Sequence, residues 1–327
     1  MAGSVAIVGA GQIAYAASQT FALAGWEVTL LARSPPAWPG GQERFQSYLA
    51  GLDPAPTGDV VLDTIAFDES DVARYDPKGV GRLIVVSSAS VYRDSAGRTL
   101  DEATRNGFPR FATPITESQP TVGPGPETYS TRKVRMERAA LTRFGSRATV
   151  LRPCAIHGAW SRHPREWWFV KRILDNRRII PLADEGRSRF QTTAANLLAT
   201  AAERAATFQK GGTFNISDHG APSVAEIASA IAARMRASLE LSCRNISSAA
   251  GTSVGRTPWS IPRPMEVSGS HANQTLGLGS KPYESSFDAG VDWLAAHAPS
   301  DWRKAFPQLA AYPWNLFDYA AEDRVLA

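Results

Sequence analysis

The segment Val5-Ala6-Ile7-Val8-Gly9-Ala10-Gly11-Gln12-Ile13-Ala14 carries a Gly-x-Gly-x-x-Ala turn directly after an apolar run. Between a strand and a helix, such a turn brings backbone amides to a pyrophosphate, which then rests on the helix N-terminus. Gly9 would permit the tight turn, Gly11 the close approach and Ala14 close helix–sheet packing, with Gln12 and Ile13 opening the helix. A glycine turn made for purely local reasons is the plainer alternative, but the strand–helix context favours a dinucleotide. At the end of the next apolar run stands Leu31-Ala32-Arg33-Ser34, without the carboxylate that usually accepts the adenosine ribose hydroxyls of NAD. Arg33 could pair with a 2′-phosphate instead, which favours NADP over NAD, against the reading of a solvated loop arginine. Farther on, Tyr129 and Lys133 stand four residues apart in YSTRK, a spacing that puts both on one helix face. A free phenol, with a pKa of about 10, is a poor acid–base group near neutrality. An ammonium beside it, with the positive ring of an oxidised nicotinamide, should favour phenolate and lower that value. The neighbouring Arg132, Arg135 and Arg138 leave an exposed basic helix face as the alternative. Ser87-Ser88-Ala89-Ser90-Val91-Tyr92 follows the apolar run RLIVV, where a serine hydroxyl could hold a substrate oxygen beside the tyrosine or merely cap a turn.

Positioning these groups requires a sheet. Val5–Val8, Glu27–Leu31, Asp59–Ile65, Arg82–Val86 and Ala148–Leu151 read as buried strands, and Gln12–Ala24 and Glu127–Phe144 as helices between them. This βαβα alternation predicts an α/β, Rossmann-type doubly wound parallel sheet. Beyond Pro153 the pattern loosens. Arg165–Asn176, Thr193–Thr207, Ser223–Met235 and Ser285–His297 read as helices, the last with Val291, Trp293 and Leu294 inward, and Thr213–Ile216 as a strand. Ser247–Pro264 and Gly269–Pro282, rich in Ser, Gly, Pro and Thr, read as loops. The expected division is a dinucleotide-binding domain over 1–153 and a smaller substrate lobe over 154–327, with segments around 190–235 returning to the sheet.

Composition narrows the classes. In 327 residues, 43% hydrophobic and 20% charged, the chain is too apolar for disorder and long enough for a sizeable core. A net charge of +4 spread over this length reads as solvated surface rather than a nucleic-acid face. The histidines form no ligand spacing, so no metal is expected. Cys154 and Cys243 are far apart and read as small, reduced, buried or half-buried side chains. The uncharged stretch 1–26 lacks a basic signal-peptide start and is interrupted by Gly9, Gly11 and polar residues, so neither signal nor membrane span is expected and the location read is cytoplasmic.

Taken in order along the chain, the glycine turn, SSASVY, YSTRK, LRPCAIHG (151–158) and GGTFNISD (211–218) resemble the short-chain dehydrogenase/reductase superfamily in its extended or atypical branch, akin to NAD-dependent epimerases and dehydratases. The resemblance spans nearly the whole chain. It implies a catalytic Ser88, Tyr129 and Lys133, and cofactor contacts from Gly9, Gly11, Gln12, Ile13, Arg33, Ala66, Tyr129, Lys133 and Pro153. Lys133 would hold the nicotinamide ribose and Pro153 would lie against the nicotinamide end. Three departures stand out. The extended branch usually has Gly-x-x-Gly-x-x-Gly; the strand that normally carries an adenine-contacting Asp is missing or reduced, with Asp53 nearest; and an extra stretch, 93–111, could form a flap. Ala89 and Ser90 replace the Asp-Glu pair of the family's 4,6-dehydratases, which argues against sugar dehydration.

For substrate contacts the resemblance points to the region after Pro153. His157 and Trp168, with Ser90, are the candidates, in an aromatic-walled pocket built with Trp160, Trp167 and Phe169; Trp168 and Phe169 read equally well as helix core. Arg189 resembles the arginine that sugar-nucleotide enzymes direct at a diphosphate, but the following Phe190-Gln191-Thr192 departs from their pattern. The leading expectation is an NADP-dependent oxidoreductase acting on a carbonyl/alcohol pair of a small metabolite. The alternatives are an epimerase that retains its cofactor, and a non-catalytic dinucleotide-binding regulator or RNA-associated protein. The expected partner is the small-molecule substrate; the resemblance implies that helices after the sheet can build a homodimer, and the sequence leaves monomer and dimer both open.

Overall fold

The computed structural model describes residues 3–242, 246 and 253–327. Its strands are β1 (Ser4–Val8), β2 (Glu27–Ala32), β3 (Phe45–Ser47), β4 (Gly58–Asp63), β5 (Val80–Val86), β6 (Ala148–Pro153), β7 (Ala155–His157), β8 (Ile179–Pro181), β9 (Thr192–Ala194), β10 (Gly212–Ile216) and β11 (Glu240–Ser242). The first helices are α1 (Gln12–Leu23), α2 (Glu69–Ala73), α3 (Ala103–Asn106), α4 (Tyr129–Phe144), α5 (Trp167–Leu174) and α6 (Ala195–Thr207). They are followed by α7 (Val224–Arg234), α8 (Ser270–Leu276), α9 (Asp288–Ala296), α10 (Trp302–Ala305), α11 (Pro307–Ala310) and α12 (Tyr319–Leu326).

Seven strands form one parallel sheet in the order β10-β6-β5-β4-β1-β2-β3. The expected Rossmann-type α/β fold is therefore present. The chain order reverses between β1 and β4, and in open parallel sheets the crevice beyond the strand ends at such a switch point takes ligands. Parallel strands covered by helices must be apolar on both faces, and Val61, Leu83, Val85 and Val150 pack with Met136, Ala140 and Phe144 of α4 in one core.

The chain divides into two units. The first comprises 1–156, 195–217 and 267–280 and holds the sheet; the second comprises 157–194, 218–266 and 281–327. Within the second unit β8 and β11 pair in parallel.

Several element readings need correction. Gly269–Pro282 contains α8, where Ala272 and Leu276 supply the buried face that its Ser, Gly and Thr content masks. The helix read from Glu127 begins at Tyr129, because Thr128 takes the N-cap: Thr131 N donates to Thr128 Oγ1 (3.2 Å) and Thr128 N to Thr131 Oγ1 (2.9 Å). The reduced strand is β3, three residues at the sheet edge. On α9, Val291 and Leu294 are buried but Trp293 only half so, its ring lying by Trp160 and His297. Cys154 is half-buried; Cys243 and positions 247–252 of one expected loop lie outside the described residues. Among the described residues no helix is long and apolar enough to cross a membrane.

Candidate active site

β1 delivers the chain to Gly9, whose φ of +120° suits glycine alone. A Cβ there would stand 2.3 Å from Thr64 Oγ1, which itself donates to Val8 O (2.8 Å) and ties the end of β4 to that of β1. Gly11 is the N-cap of the twelve-residue α1 and has no side-chain cap. A Cβ at Gly11 would meet nothing within 4 Å. Gln12 Nε2 is a buried donor without a partner among the described residues, while Ala14 is fully buried against the sheet. Open space at a helix N-terminus and an uncommitted amide beside it suit a bound anion. Arg33 is exposed just past β2, and Asp53 holds its own loop by accepting from Leu49 N (2.6 Å).

The ends of β4 and β5 and the start of α4 build the second part. Asp63, fully buried at the end of β4, accepts from Ile65 N (2.9 Å), Ala66 N (2.7 Å) and the Tyr75 hydroxyl (2.6 Å). It thereby fixes the loop that carries the Ala66 carbonyl. Lys133, buried on α4, donates from Nζ to Ala66 O (2.6 Å) and Val86 O (2.9 Å). Two of its three protons are thus committed, and the ammonium lies 5.7 Å from the centre of the Tyr129 ring. Burial brings the Lys133 pKa down to about 8 against the pull of Asp63, Glu137 and Asp71. The arginines around it turn elsewhere: Arg132 pairs with Asp68 (2.8 Å) and Arg135 with Asp68 and Glu69.

Tyr129 remains 42% exposed. Its hydroxyl lies near enough to Ser88 for that side chain to lower its pKa, and Ser88 Oγ accepts from Ser90 N (3.1 Å). In the protein alone, burial raises the phenol, the Ser88 side chain offsets part of that, and the charge of Asp101 adds to it. Ser90 is turned to the helix, where the Ser130 hydroxyl reaches its carbonyl (2.9 Å) and its Oγ (3.0 Å). Pro153 ends β6, buried and in register with Ile216. Ser88, Tyr129, Lys133 and Ala66 thus come together at the strand ends. Asp63 and Asp101 were missed. A carboxylate ending an apolar strand was a visible signal for Asp63; for Asp101 there was none.

In the second unit, His157 is 2% exposed and its Nε2 lies 2.7 Å from Asp218 Oδ2. Asp218 also accepts from Thr192 Oγ1 (2.7 Å) and Ala194 N (2.8 Å). Burial opposes charge on both, but each stabilises the other, so His157 is raised and Asp218 lowered. Trp168, 1% exposed, is core: the Arg172 guanidinium sits 3.4 Å from its ring centre. Arg189 is engaged by Ala221 O (2.5 Å) and Glu226 (3.2 Å).

No protein-family model matches the sequence, and no curated protein matches it. Solved structures do match in three dimensions. MoeE5 in complex with UDP-glucose and NAD superposes with a TM-score of 0.64 at 17% identity, over 91% of this chain and 100% of that one. The UDP-glucuronic acid 4-epimerase of Bacillus cereus, in complex with UDP-glucuronic acid and NAD, gives 0.60 at 16%, over 90% and 99%. The UDP-N-acetylglucosamine 4-epimerase of Methanobrevibacter ruminantium M1 gives 0.64 at 14%, over 90% and 99%. The chain has their fold. The family resemblance read from its motifs therefore holds at the level of architecture.

Proposed function

We propose that the protein is an enzyme that binds a nicotinamide dinucleotide and uses Ser88, Tyr129 and Lys133 for reversible oxidation at a secondary alcohol of a small metabolite, run as an epimerisation on retained cofactor. The observation that carries this reading is the meeting of Ser88, Tyr129 and Lys133 at the ends of β4 and β5, beside the Gly9–Gly11 turn. The fold shared with 4-epimerases favours epimerisation over the net carbonyl reduction expected first.

Gly9, Gly11, Gln12 and Ile13 would hold the pyrophosphate, with Arg33, Ala66 and Pro153 along the rest of the cofactor. A bound nicotinamide supplies hydride acceptance and return. As phenolate, Tyr129 Oη takes the proton from the substrate hydroxyl and, then a phenol, gives it back on re-reduction, while the Ser88 hydroxyl holds the same oxygen. Lys133, charged at neutral pH because its pKa near 8 lies above 7, lowers the cost of that phenolate. Its remaining donor would meet the ribose. The neighbours carry NAD, but the absence of a carboxylate after β2 and the exposed Arg33 favour NADP in this chain. Arg189 is engaged within its own unit, so the reading does not extend to the UDP-sugars of the neighbours.

The test is turnover of epimer pairs by the purified protein. Interconversion should proceed without net change in reduced nicotinamide absorbance, and Tyr129→Phe should abolish it while cofactor affinity is kept. Stoichiometric consumption of NADPH would return the assignment to a reductase; full activity of Tyr129→Phe would remove the proposed acid.

A further inference from the structure

The segment 93–111, between the Ser88 turn and α4, is built around Asp94. That carboxylate is buried and accepts from Ala96 N (2.9 Å), Arg98 N (2.9 Å), Arg98 Nε (2.8 Å) and Arg110 N (2.8 Å), so both ends of the segment are gathered on one side chain. Its base is tied down as well: Arg93 N donates to Pro120 O (3.0 Å), Arg93 Nε to Thr121 O (3.0 Å), and Gln119 Nε2 to Arg93 O (2.7 Å). From this fixed frame Asp101 reaches the first turn of α4, where its Oδ2 accepts from Ser130 N at 2.7 Å.

Ser130 adjoins Tyr129, and its amide is one of those that an α-helix leaves without an intrahelical partner at its start. Thr128 satisfies Thr131 in the same turn; Asp101 satisfies Ser130. A carboxylate at a helix N-terminus is also favoured by the helix dipole. The consequence for Tyr129 has the opposite sign. A negative charge one residue from the phenol opposes phenolate, and Asp101 is among the groups that hold the Tyr129 hydroxyl above its ordinary range. The other groups around that ring are Ser88 after β5, Phe67 after β4 (5.5 Å between ring centres) and Lys133 on α4 itself. Among these four neighbours Asp101 is the only anion, and it comes from a segment outside the sheet and its helices.

We propose that Asp101 is a positioning residue of the Tyr129 site: it anchors the first turn of α4 through Ser130 and places a carboxylate beside the turn that carries the phenol. This rests on the function proposed above, in which Tyr129 alternates between phenolate and phenol and Asp101 favours the phenol. The segment 93–111 then acts less as a mobile flap than as a fixed bracket that delivers one carboxylate.

Two substitutions separate charge from tether. Asp101→Asn keeps an oxygen for the Ser130 amide and removes the charge; Asp101→Ala removes both. The readout is the titration of Tyr129 followed by NMR with ring-labelled tyrosine, its signal identified by its loss in Tyr129→Phe. In Asp101→Asn the midpoint should fall by about half a pH unit at low ionic strength, and added salt should shrink the difference. In Asp101→Ala the Ser130 amide should in addition lose its hydrogen-exchange protection. An unchanged or raised midpoint in Asp101→Asn would overturn the proposal, as would a protected Ser130 amide in Asp101→Ala. Since the titration needs no substrate, its outcome is independent of turnover. A fully active Tyr129→Phe would sink the proposed function and leave the titration result standing.

Discussion

Two regions of this chain gather ionisable groups with displaced pKa values, and they differ in what those groups are free to do. At the ends of β4 and β5, Lys133 is buried and fixed by two carbonyls, yet it supports a phenol that is 42% exposed. In the second unit, His157, Asp218, Glu166 and Tyr283 are all buried: His157 meets Asp218 at 2.7 Å, and the Tyr283 hydroxyl reaches Glu166 at 3.3 Å. Burial pushes the Glu166 carboxyl above its ordinary range, and Asp218 raises His157 against its own burial. Perturbation marks both places, as it does structural ion pairs in general. What separates them is a rigid base under a partly exposed tyrosine in one, and side chains wholly buried together in the other.

Exchanging the kind of damage would break this comparison. The largest expected effect is that of Tyr129→Phe, a loss of turnover of about a hundredfold to ten-thousandfold, in the range of lost acid–base catalysis, with an unchanged melting curve. His157→Gln should do the reverse. Leaving Asp218 without its buried partner should cost about 3 kcal/mol of stability while dinucleotide binding stays as it was. The pH dependence sharpens this. His157 is raised, so its contribution is complete below its ordinary value of about 6.5 and fades as pH climbs through the folded value. Asp218 is lowered, so its contribution is present above about 3.9 and fades on acidification. The stability gap between wild type and His157→Gln should therefore be widest between about pH 4 and 6.5 and should close toward alkaline pH. A gap that widens above neutrality would contradict the pairing. The smallest effect is expected at the exposed edge. Arg33→Asp should shift the NADP/NAD affinity ratio toward NAD by about tenfold, the scale of one charge-assisted phosphate contact. An unmoved ratio would free Arg33 of that role.

Local pattern made the first region legible. A glycine turn after an apolar strand, a tyrosine and lysine four apart on a helix, and a serine after the next strand each follow from periodicities of two or 3.6 residues. Their convergence required only the parallel sheet those strands imply. Partners brought together by the fold were not legible: His157 and Asp218 are 61 residues apart, and Ser130 and Asp101 are 29 apart. Weak local signals failed as well. α8 carries only Ala272 and Leu276 as buried residues, and β3 is too short for its alternation to show. The burial that raises Tyr129 in the protein alone was not legible for a different reason: a neighbouring charge is visible in a motif, whereas desolvation depends on everything packed around it.

Dinucleotide binding by wild type and Gly11→Val, followed by calorimetry after stripping any bound nucleotide, bears most directly on the site. Gly11 has φ −100° and ψ −170°, which any residue adopts, and a Cβ there meets no protein atom within 4 Å. The substitution should leave the fold and its melting temperature intact while filling the approach to the α1 N-terminus. The expected result is saturable binding by wild type and at least about a tenfold loss in Gly11→Val, the minimum for one lost close backbone contact to a phosphate. Failure of wild type to bind either NAD or NADP, or equal binding by both proteins, would contradict the site.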